Sequence, residues 1–214
     1  DLPEASFAGQ QSSFLNVWGE DSVVAAVQTC WASLFESRAI YYRSQQGFDH
    51  FKVGIAVPVQ KMVASETSGV MFTIEPVTND NSKMIIEAIY GLGEGLVSGE
   101  VNPDLYIINK MDLSICSKSL NRQQQQLERN PLIDHKKTNT WQTLPSKTQT
   151  QQKLTDKDIL RLAMLGKQLE GHYRSPQDIE WAKENNKFYI VQTRPVTTLK
   201  EAIEVEPEIN APVL

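Results

Sequence analysis

An acidic pair, a short polar turn and an apolar strand form the feature that most constrains this chain. Asp178 and Glu180 are one residue apart, and the strand after the turn ends in Gln192 and Arg194. Residues i and i+2 of a β-strand point to the same face, so each pair projects to one side of its strand. A hairpin that turns through residues 183–187 would place the two pairs side by side.

Four such side chains on one face have the chemistry that a Mg²⁺-polyphosphate requires. Carboxylate and amide oxygens are ligands of hard cations, and the arginine fork fits phosphate oxygens. The same alternation is also typical of the solvent face of an ordinary amphipathic hairpin. The residues alone therefore predict a hairpin and leave open whether its polar face binds a ligand.

Composition excludes some partners. A chain of 214 residues allows one large domain or two small ones. Its net charge of −5 disfavours nucleic acid, which needs a basic face, and no apolar run approaches the ~20 residues of a membrane span. Cys30 and Cys116 lack metal-binding spacing. We expect a cytoplasmic protein with neither nucleic acid nor a membrane as partner.

The apolar patterns predict an α+β fold, with mixed or antiparallel sheets and packed helices. Helical spacing extends from Glu20 to about Gln46, where Gly47 can cap it, and again from Thr155 to about His172. Apolar runs predict strands at Val53–Val63, Gly69–Ile74, Lys83–Ala88, Leu105–Asn109 and Leu113–Ser117.

Two segments differ in composition from the rest. Residues 119–153 are rich in Gln, Lys, Thr and Asn, which predicts an exposed, mobile excursion. Residues 199–214 combine several glutamates with prolines, which is typical of an interdomain linker.

Three more segments have the residue types of a nucleotide site. Small residues around Gly9 let backbone N–H groups approach phosphate oxygens, and the Ser13 hydroxyl adds a donor. The strand that ends at Gln60 can pair its backbone with an adenine edge, with Met62 against the ring. Glycines 91, 93 and 95 around Glu94 allow close approach to a ligand. Each segment alone is also compatible with a plain turn or buried strand.

Taken in order, these segments resemble the ATP-binding domain of phosphoenolpyruvate synthases and their relatives, pyruvate, phosphate dikinase and rifampin phosphotransferase. The resemblance covers nearly all of residues 1–210 and is weakest in the Gln-rich segment. It implies an ATP-grasp fold, in which two α+β lobes clasp ATP, with ATP and Mg²⁺ as cofactors. The motifs that carry it are SFAGQQ, VPVQKMV, SGVMFT, YGLGEGLVSGEVNPD, DIEWA and FYIVQTRP.

The resemblance implies roles for the matching residues on the nucleotide side. Gly9 and Ser13 would contact the phosphates, where relatives can have Thr at the second position. Gln60 would read the adenine, and Glu94 would reach the phosphate side.

It also implies the catalytic groups. Glu180 and Gln192 would hold Mg²⁺ and the phosphates, with Asp178 in support. Arg194 would neutralise charge on the transferred phosphates, so Arg194 and Glu180 are the expected catalytic residues.

This chain departs from the family at both ends. Relatives carry a phosphate-binding Lys near the N-terminus and an Arg just upstream of the position where this chain starts. They also carry a phosphohistidine domain and a pyruvate-binding domain downstream. Residues 1–198 are therefore expected to be an N-terminally truncated ATP-grasp domain, and 199–214 a linker to the phosphohistidine domain of the same parent polypeptide.

The implied function is phosphotransfer from Mg-ATP to a histidine on another domain, for making phosphoenolpyruvate from pyruvate and water. The fragment alone is expected to be inactive. Two alternatives stay open: the ATP-binding domain of a rifampin phosphotransferase-like enzyme, and a non-catalytic nucleotide-binding module.

Overall fold

The computed structural model describes residue 9, residues 11–129 and residues 139–196. The elements fall into two regions along the chain. The first region, residues 11–65, contains two helices joined by a 3₁₀ turn and then a segment without regular structure, residues 53–65. Its elements are α1 (Glu20–Ala32), the turn Ser33–Phe35 and α2 (Ser37–Gln45).

The second region, residues 67–196, contains the strands. Its elements are β1 (Thr67–Phe72), β2 (Lys83–Tyr90), α3 (Glu94–Val97), β3 (Asp104–Asn109), β4 (Ile115–Ser119), β5 (Gln125–Arg129), β6 (Asn139–Thr143), the 3₁₀ turn Thr148–Thr150, α4 (Asp156–Tyr173), β7 (Gln177–Glu184) and β8 (Lys187–Pro195). Within the described residues, six strands form one sheet in the order β4-β3-β2-β1-β7-β8, and β5 and β6 pair separately. All of these pairings are antiparallel.

The hydrophobic core lies between one face of the large sheet and α4. Ile159 and Leu162 of the helix are buried against alternate strand residues such as Met71, Ile179 and Trp181. Burial of such side chains stabilises the fold by about 1.5–3 kcal/mol each. The helix comes close because it places Gly166 at the contact, where a Cβ would lie 2.8 Å from the Met71 side chain.

Local signals set the bounds of α4. The Thr155 hydroxyl oxygen accepts the Asp158 N–H at 3.2 Å and so caps the start of the helix. The helix ends at Arg174, whose φ of 57° lies in the left-handed region. Among the helices of the described residues, none has the length and apolar character that a membrane crossing requires.

The α+β class and most of the predicted strands are confirmed. β1, β2 and β3 overlap the predicted strands, and β4 pairs with β3. The helix predicted over residues 155–172 is α4, and Gly47 follows α2 with a φ of 72°.

The single helix predicted from Glu20 to Gln46 is wrong, because the chain leaves the helical conformation at Glu36 (ψ 150°). The Ser33 hydroxyl donates to the Cys30 carbonyl at 2.7 Å, and such side-chain bonds compete with the helix backbone. Arg43 of α2 then donates to the Leu34 carbonyl and holds the break.

The strand predicted at Val53–Val63 is also wrong. Residues 53–65 run without regular structure, and no described strand pairs with them. An apolar run becomes a strand only when a neighbour takes its backbone hydrogen bonds.

The exposed excursion predicted at residues 119–153 is wrong for the part that the structure describes. Gln123, Gln149 and Lys153 are buried, and β5 and β6 pair antiparallel there. Polar residues can be buried when partners satisfy them: Arg122 donates to the Gln149 side-chain oxygen at 2.7 Å, and Lys153 pairs with buried Asp104. The linker predicted at 199–214 lies outside the described residues.

Candidate functional site

The face of the large sheet opposite α4 carries the four residues singled out by the sequence. In the β7–β8 pair, Asp178 lies opposite Arg194 and Glu180 lies opposite Gln192. Since directly opposed residues of antiparallel strands project to the same face, the structure brings these four side chains together. We call them the hairpin face.

A bulge in β8 creates this face. Trp181 pairs with Ile190 but Glu180 pairs with Gln192, so Val191 is the extra residue. Without it, regular pairing would put Gln192 opposite Ile179, on the side that packs against α4. A shift of one residue exchanges the two faces of a strand. The bulge therefore turns Gln192 and Arg194 toward Glu180 and Asp178.

The turn of the hairpin fixes the register ahead of the bulge. Asn185 and Asn186 have φ values of 51° and 59°. Two consecutive residues with positive φ make the type I′ turn that suits a two-residue hairpin, and asparagine tolerates this conformation.

Asp178 holds the guanidinium of Arg194. Its Oδ2 accepts the Nε–H at 2.8 Å and an Nη2–H at 2.7 Å. An arginine has five N–H donors, so the remaining ones are free of this carboxylate. Asp178 thus orients Arg194, and part of the guanidinium can still receive phosphate oxygens.

Glu180 is a half-buried carboxylate whose oxygens accept no hydrogen bond from a described residue. Burial raises its pKa, the negative charge of Asp178 raises it further, and Arg194 opposes the shift. A cation close to Glu180 would relieve this cost, because an opposite charge favours the ionised form.

The donor set fits Mg²⁺. Glu180 and the exposed Gln192 offer side-chain oxygens from adjacent strands. Mg²⁺ is commonly held by one or two carboxylates, with waters and substrate phosphates as its other ligands. Within the described residues, no group of three or more His, Cys, Asp or Glu is arranged to hold a metal.

Glu87 is a residue on this side of the sheet that the sequence analysis missed. It lies opposite Val70, which lies opposite Glu180, so the three share one face of β2, β1 and β7. Glu87 is half-buried, and burial raises the pKa of its carboxyl. The available signal was an acidic residue in the otherwise apolar run Met84–Ile89.

Ser13 and Gln60 line one cavity of about 550 Å³, together with Met62. The cavity lies between the start of the first region, α1 and the irregular segment 53–65. The Gln60 side-chain N–H donates to the Val191 carbonyl at 3.5 Å, so the bulge residue joins this segment to β8. The structure thus places Gln60 next to the strand that carries Gln192.

The loop of residues 91–94, which we call the glycine loop, leaves the sheet at the end of β2. The Ser68 hydroxyl donates to the Gly91 carbonyl at 2.7 Å, and Ser68 shares a face with Val70. Glu94 is exposed in the first turn of α3. No described contact joins Glu94 to the hairpin face. The same holds for Gly9, which is exposed with a φ of 68°.

The fold, a mostly antiparallel sheet packed with helices, is that of an ATP-grasp-like α+β domain. A family model described as "Pyruvate phosphate dikinase, AMP/ATP-binding domain" matches residues 1–211. The chain belongs to this family.

Individual relatives agree with this membership. A probable phosphoenolpyruvate synthase of Methanocaldococcus jannaschii is 48% identical over 218 residues, covering 100% of this chain and 18% of the relative. The phosphoenolpyruvate synthase of Pyrococcus furiosus is 49% identical over 210 residues, covering 96% and 26%. The rifampicin phosphotransferase of Bacillus subtilis is 43% identical over 214 residues, covering 98% and 24%. The chain spans about a quarter or less of each of these three relatives.

Proposed function

We propose that this chain is the ATP-binding part of a phosphoenolpyruvate synthase, which makes phosphoenolpyruvate from pyruvate, ATP and water and releases AMP and phosphate. The observation that carries the proposal is the hairpin face, where an oriented arginine lies beside a carboxylate and an amide. In the proposed reaction, ATP donates its β,γ-pyrophosphoryl group to a histidine on another domain of the same polypeptide.

The chemistry suits these residues because phosphoryl transfer asks a protein mainly for positioning and charge neutralisation. Arg194, held by Asp178, would bind the transferred phosphates. Glu180 and Gln192 would hold Mg²⁺, and bound Mg²⁺ supplies positive charge to the phosphate oxygens. Glu180 would then be ionised, since the cation offsets the burial that raises its pKa.

The nucleotide side of the proposed site lies in the first region and the glycine loop. Gln60 would read the adenine in the cavity it shares with Ser13 and Met62. Gly9 and Ser13 would contact the phosphates, and Glu94 would approach them from α3. Residues 1–198 would form this nucleotide-binding unit and 199–214 the linker to the phosphohistidine domain of a cytoplasmic enzyme. We expect the 214-residue chain alone to be inactive.

Rifampicin is a second candidate for the phosphoryl acceptor, and it has support of its own. A rifampicin phosphotransferase is 43% identical to this chain, against 49% for the synthase of Pyrococcus furiosus. The same ATP half would serve either acceptor. We favour pyruvate because of the higher identity. Assaying the whole enzyme with pyruvate and with rifampicin separates the two.

Replacement of Arg194 by Ala in the whole enzyme tests the proposed catalytic role. Loss of an arginine that neutralises transferred phosphate costs roughly 10³-fold or more in kcat, so turnover should be lost. Because Arg194 is partly exposed and outside the core, the variant should still fold, with a modest drop in melting temperature from the loss of its pair with Asp178. Lys187→Ala, which removes an exposed cation at the other end of β8, is the matched control and should keep activity. Near-normal turnover of Arg194→Ala would refute the assignment.

A companion measurement addresses the metal. Calorimetric titration with Mg-ATP should show binding to the wild-type enzyme that is lost in Glu180→Ala. Retained affinity in that variant would remove Glu180 from the proposed site while leaving the role of Arg194 open to its own test.

A further inference from the structure

One glutamine of the Gln-rich run is unlike its neighbours. Gln123 is 1% exposed, whereas Gln124 and Gln125 are exposed. Burying an amide side chain is unfavourable unless its donors and acceptor find partners. The partners of Gln123 therefore indicate what its burial accomplishes.

The Gln123 side chain pairs with the backbone of Tyr90, the last residue of β2. Its Oε1 accepts the Tyr90 N–H at 2.9 Å, and its Nε2 donates to the Tyr90 carbonyl at 2.9 Å. Nε2 also donates to the Gln125 carbonyl at 3.0 Å. Both N–H groups of the amide and its oxygen are thus engaged.

The position of this contact along β2 is informative. The neighbouring strand β3 pairs with β2 only as far as Ala88, which lies opposite Asp104. Beyond that point β3 offers no backbone partner to Tyr90. Gln123 takes the place of the missing strand residue and holds the end of β2 where the glycine loop begins.

The glycine loop is held from other sides as well. The Gly91 N–H donates to the Glu66 carbonyl at 3.0 Å, and the Leu92 N–H donates to the Leu127 carbonyl at 2.8 Å. A Cβ at Gly91 would lie 2.5 Å from that Leu127 oxygen, so only glycine permits this approach. Residues 123–127 therefore form one side of the support for the loop.

We propose that Gln123 is a positioning residue that fixes the glycine loop and, through it, the Glu94 carboxylate relative to the polyphosphate of the bound nucleotide. The proposal rests on the proposed function for its ligand and on the contacts above for its geometry. Glycine-rich backbone loses much conformational freedom on ordering, and a binding group on such a loop needs a supporting shell to keep its place.

Hydrogen exchange in the full-length enzyme tests the positioning directly. Gln123→Met keeps the size of the side chain but removes its hydrogen bonds, and Gln124→Met is the matched control on an exposed neighbour. We expect the Tyr90, Gly91 and Leu92 amides to exchange about tenfold faster in Gln123→Met only, the factor for one lost hydrogen bond. Amides of β7 and β8 should not change. Unchanged exchange in the loop would overturn the proposal.

Nucleotide binding tests the link to Glu94. Gln123→Met should weaken Mg-ATP binding about tenfold in the wild-type background and should have no further effect in Glu94→Gln, because coupled residues are not additive. Gln123→Leu, which also lacks the amide and buries no charge, should weaken binding as Gln123→Met does and serves if the Met variant does not fold. Additive effects would overturn the action through Glu94.

The two proposals fail in different ways. If the wild-type enzyme binds no Mg-ATP, the proposed function fails, and with it the ligand assigned to Glu94. The exchange measurement then still supports or overturns the role of Gln123 in ordering the loop. If the wild type binds Mg-ATP but the variants match it, only the role of Gln123 is overturned.

Discussion

The two regions of this chain use their apolar side chains in opposite ways. In residues 67–196, Trp181 is 1% exposed and Tyr106 is 0% exposed, and both belong to the cluster under α4. In residues 11–65, Trp31 is 53% exposed and Phe51 is 89% exposed. The sheet region has a core of its own, whereas several large apolar side chains of the first region lie at the surface, among them Phe14, Trp18 and Phe35.

This difference divides the candidate site into a rigid half and an adaptable half. The hairpin face is built on strands whose other side is packed, so its side chains have a fixed base. Ser13 and Gln60 belong to the first region, which meets the sheet region through few contacts, such as Gln60 to Val191 and Arg129 over the Trp18 ring at 4.5 Å. The groups proposed for Mg²⁺ and the transferred phosphates on the hairpin face thus lie on the stiffer support, whereas Gln60, proposed to read the adenine, and Ser13, proposed as a phosphate contact, lie on the softer one.

The largest expected effect comes from comparing two tryptophans. Trp181→Ala should destabilise the chain by about 4 kcal/mol, because truncating a buried aromatic side chain loses its burial and leaves a cavity. Trp31→Ala removes an exposed side chain and should cost less than about 1 kcal/mol. Urea denaturation measures both, and equal losses would break the contrast between the regions.

Ion pairs test the same contrast between the two regions, with a smaller expected change in stability. Lys153 and Asp104 form an ion pair whose side chains are fully buried, while Arg38 and Glu36 pair at the surface. Lys153→Met should destabilise by about 3 kcal/mol, since it leaves Asp104 buried without its cation. Arg38→Met should leave the urea midpoint unchanged within error. A marked loss in Arg38→Met would show that the first region depends on its surface charges.

The smallest expected effect concerns Glu87, which lies on the sheet face opposite α4. Burial raises the pKa of Glu87 from its ordinary value of 4.5, so the folded state holds this proton more tightly than the unfolded state. Stability must then fall as pH rises from that value through the raised pKa. Glu87→Gln removes this penalty and should raise the melting temperature at pH 7 by about 1–2 °C, the shift that ~0.5 kcal/mol gives in a chain of this size.

The pH dependence is the control for that prediction. At pH 3, well below the ordinary value of 4.5, the Glu87 carboxyl is protonated in both states, so the advantage of the variant should disappear. A gain that is equal at both pH values would mean that the variant acts through packing rather than through the ionisation of Glu87.

Much of the sheet could be predicted because apolar and polar residues alternate along its strands. Asp178, Glu180, Gln192 and Arg194 share a face as the i, i+2 spacing indicated, while their roles stay predictions. The reason for that shared face could not be predicted, since nothing in the sequence of β8 marks Val191 as the extra residue of a bulge.

The incorrect predictions have a common physical cause: the structure of these segments depends on residues that are distant in sequence. Gln123 looked like a solvated residue of a polar run, and only the end of β3 relative to β2 explains its burial. The run at Val53–Val63 looked like a strand, but a strand also depends on a neighbour. The sequence pattern indicates which secondary structure a segment can form, and its pairing with other segments decides which one it forms.

The bulge at Val191 also determines how this hairpin tolerates change over generations. Side chains at position 191 can vary without moving the face, because the residue contributes an extra step of backbone and its carbonyl. Loss of one residue from this stretch of β8 would instead exchange Gln192 and Arg194 with residues of the core side. We therefore expect substitutions to be tolerated at position 191, whereas insertions and deletions in this stretch of β8 should not be.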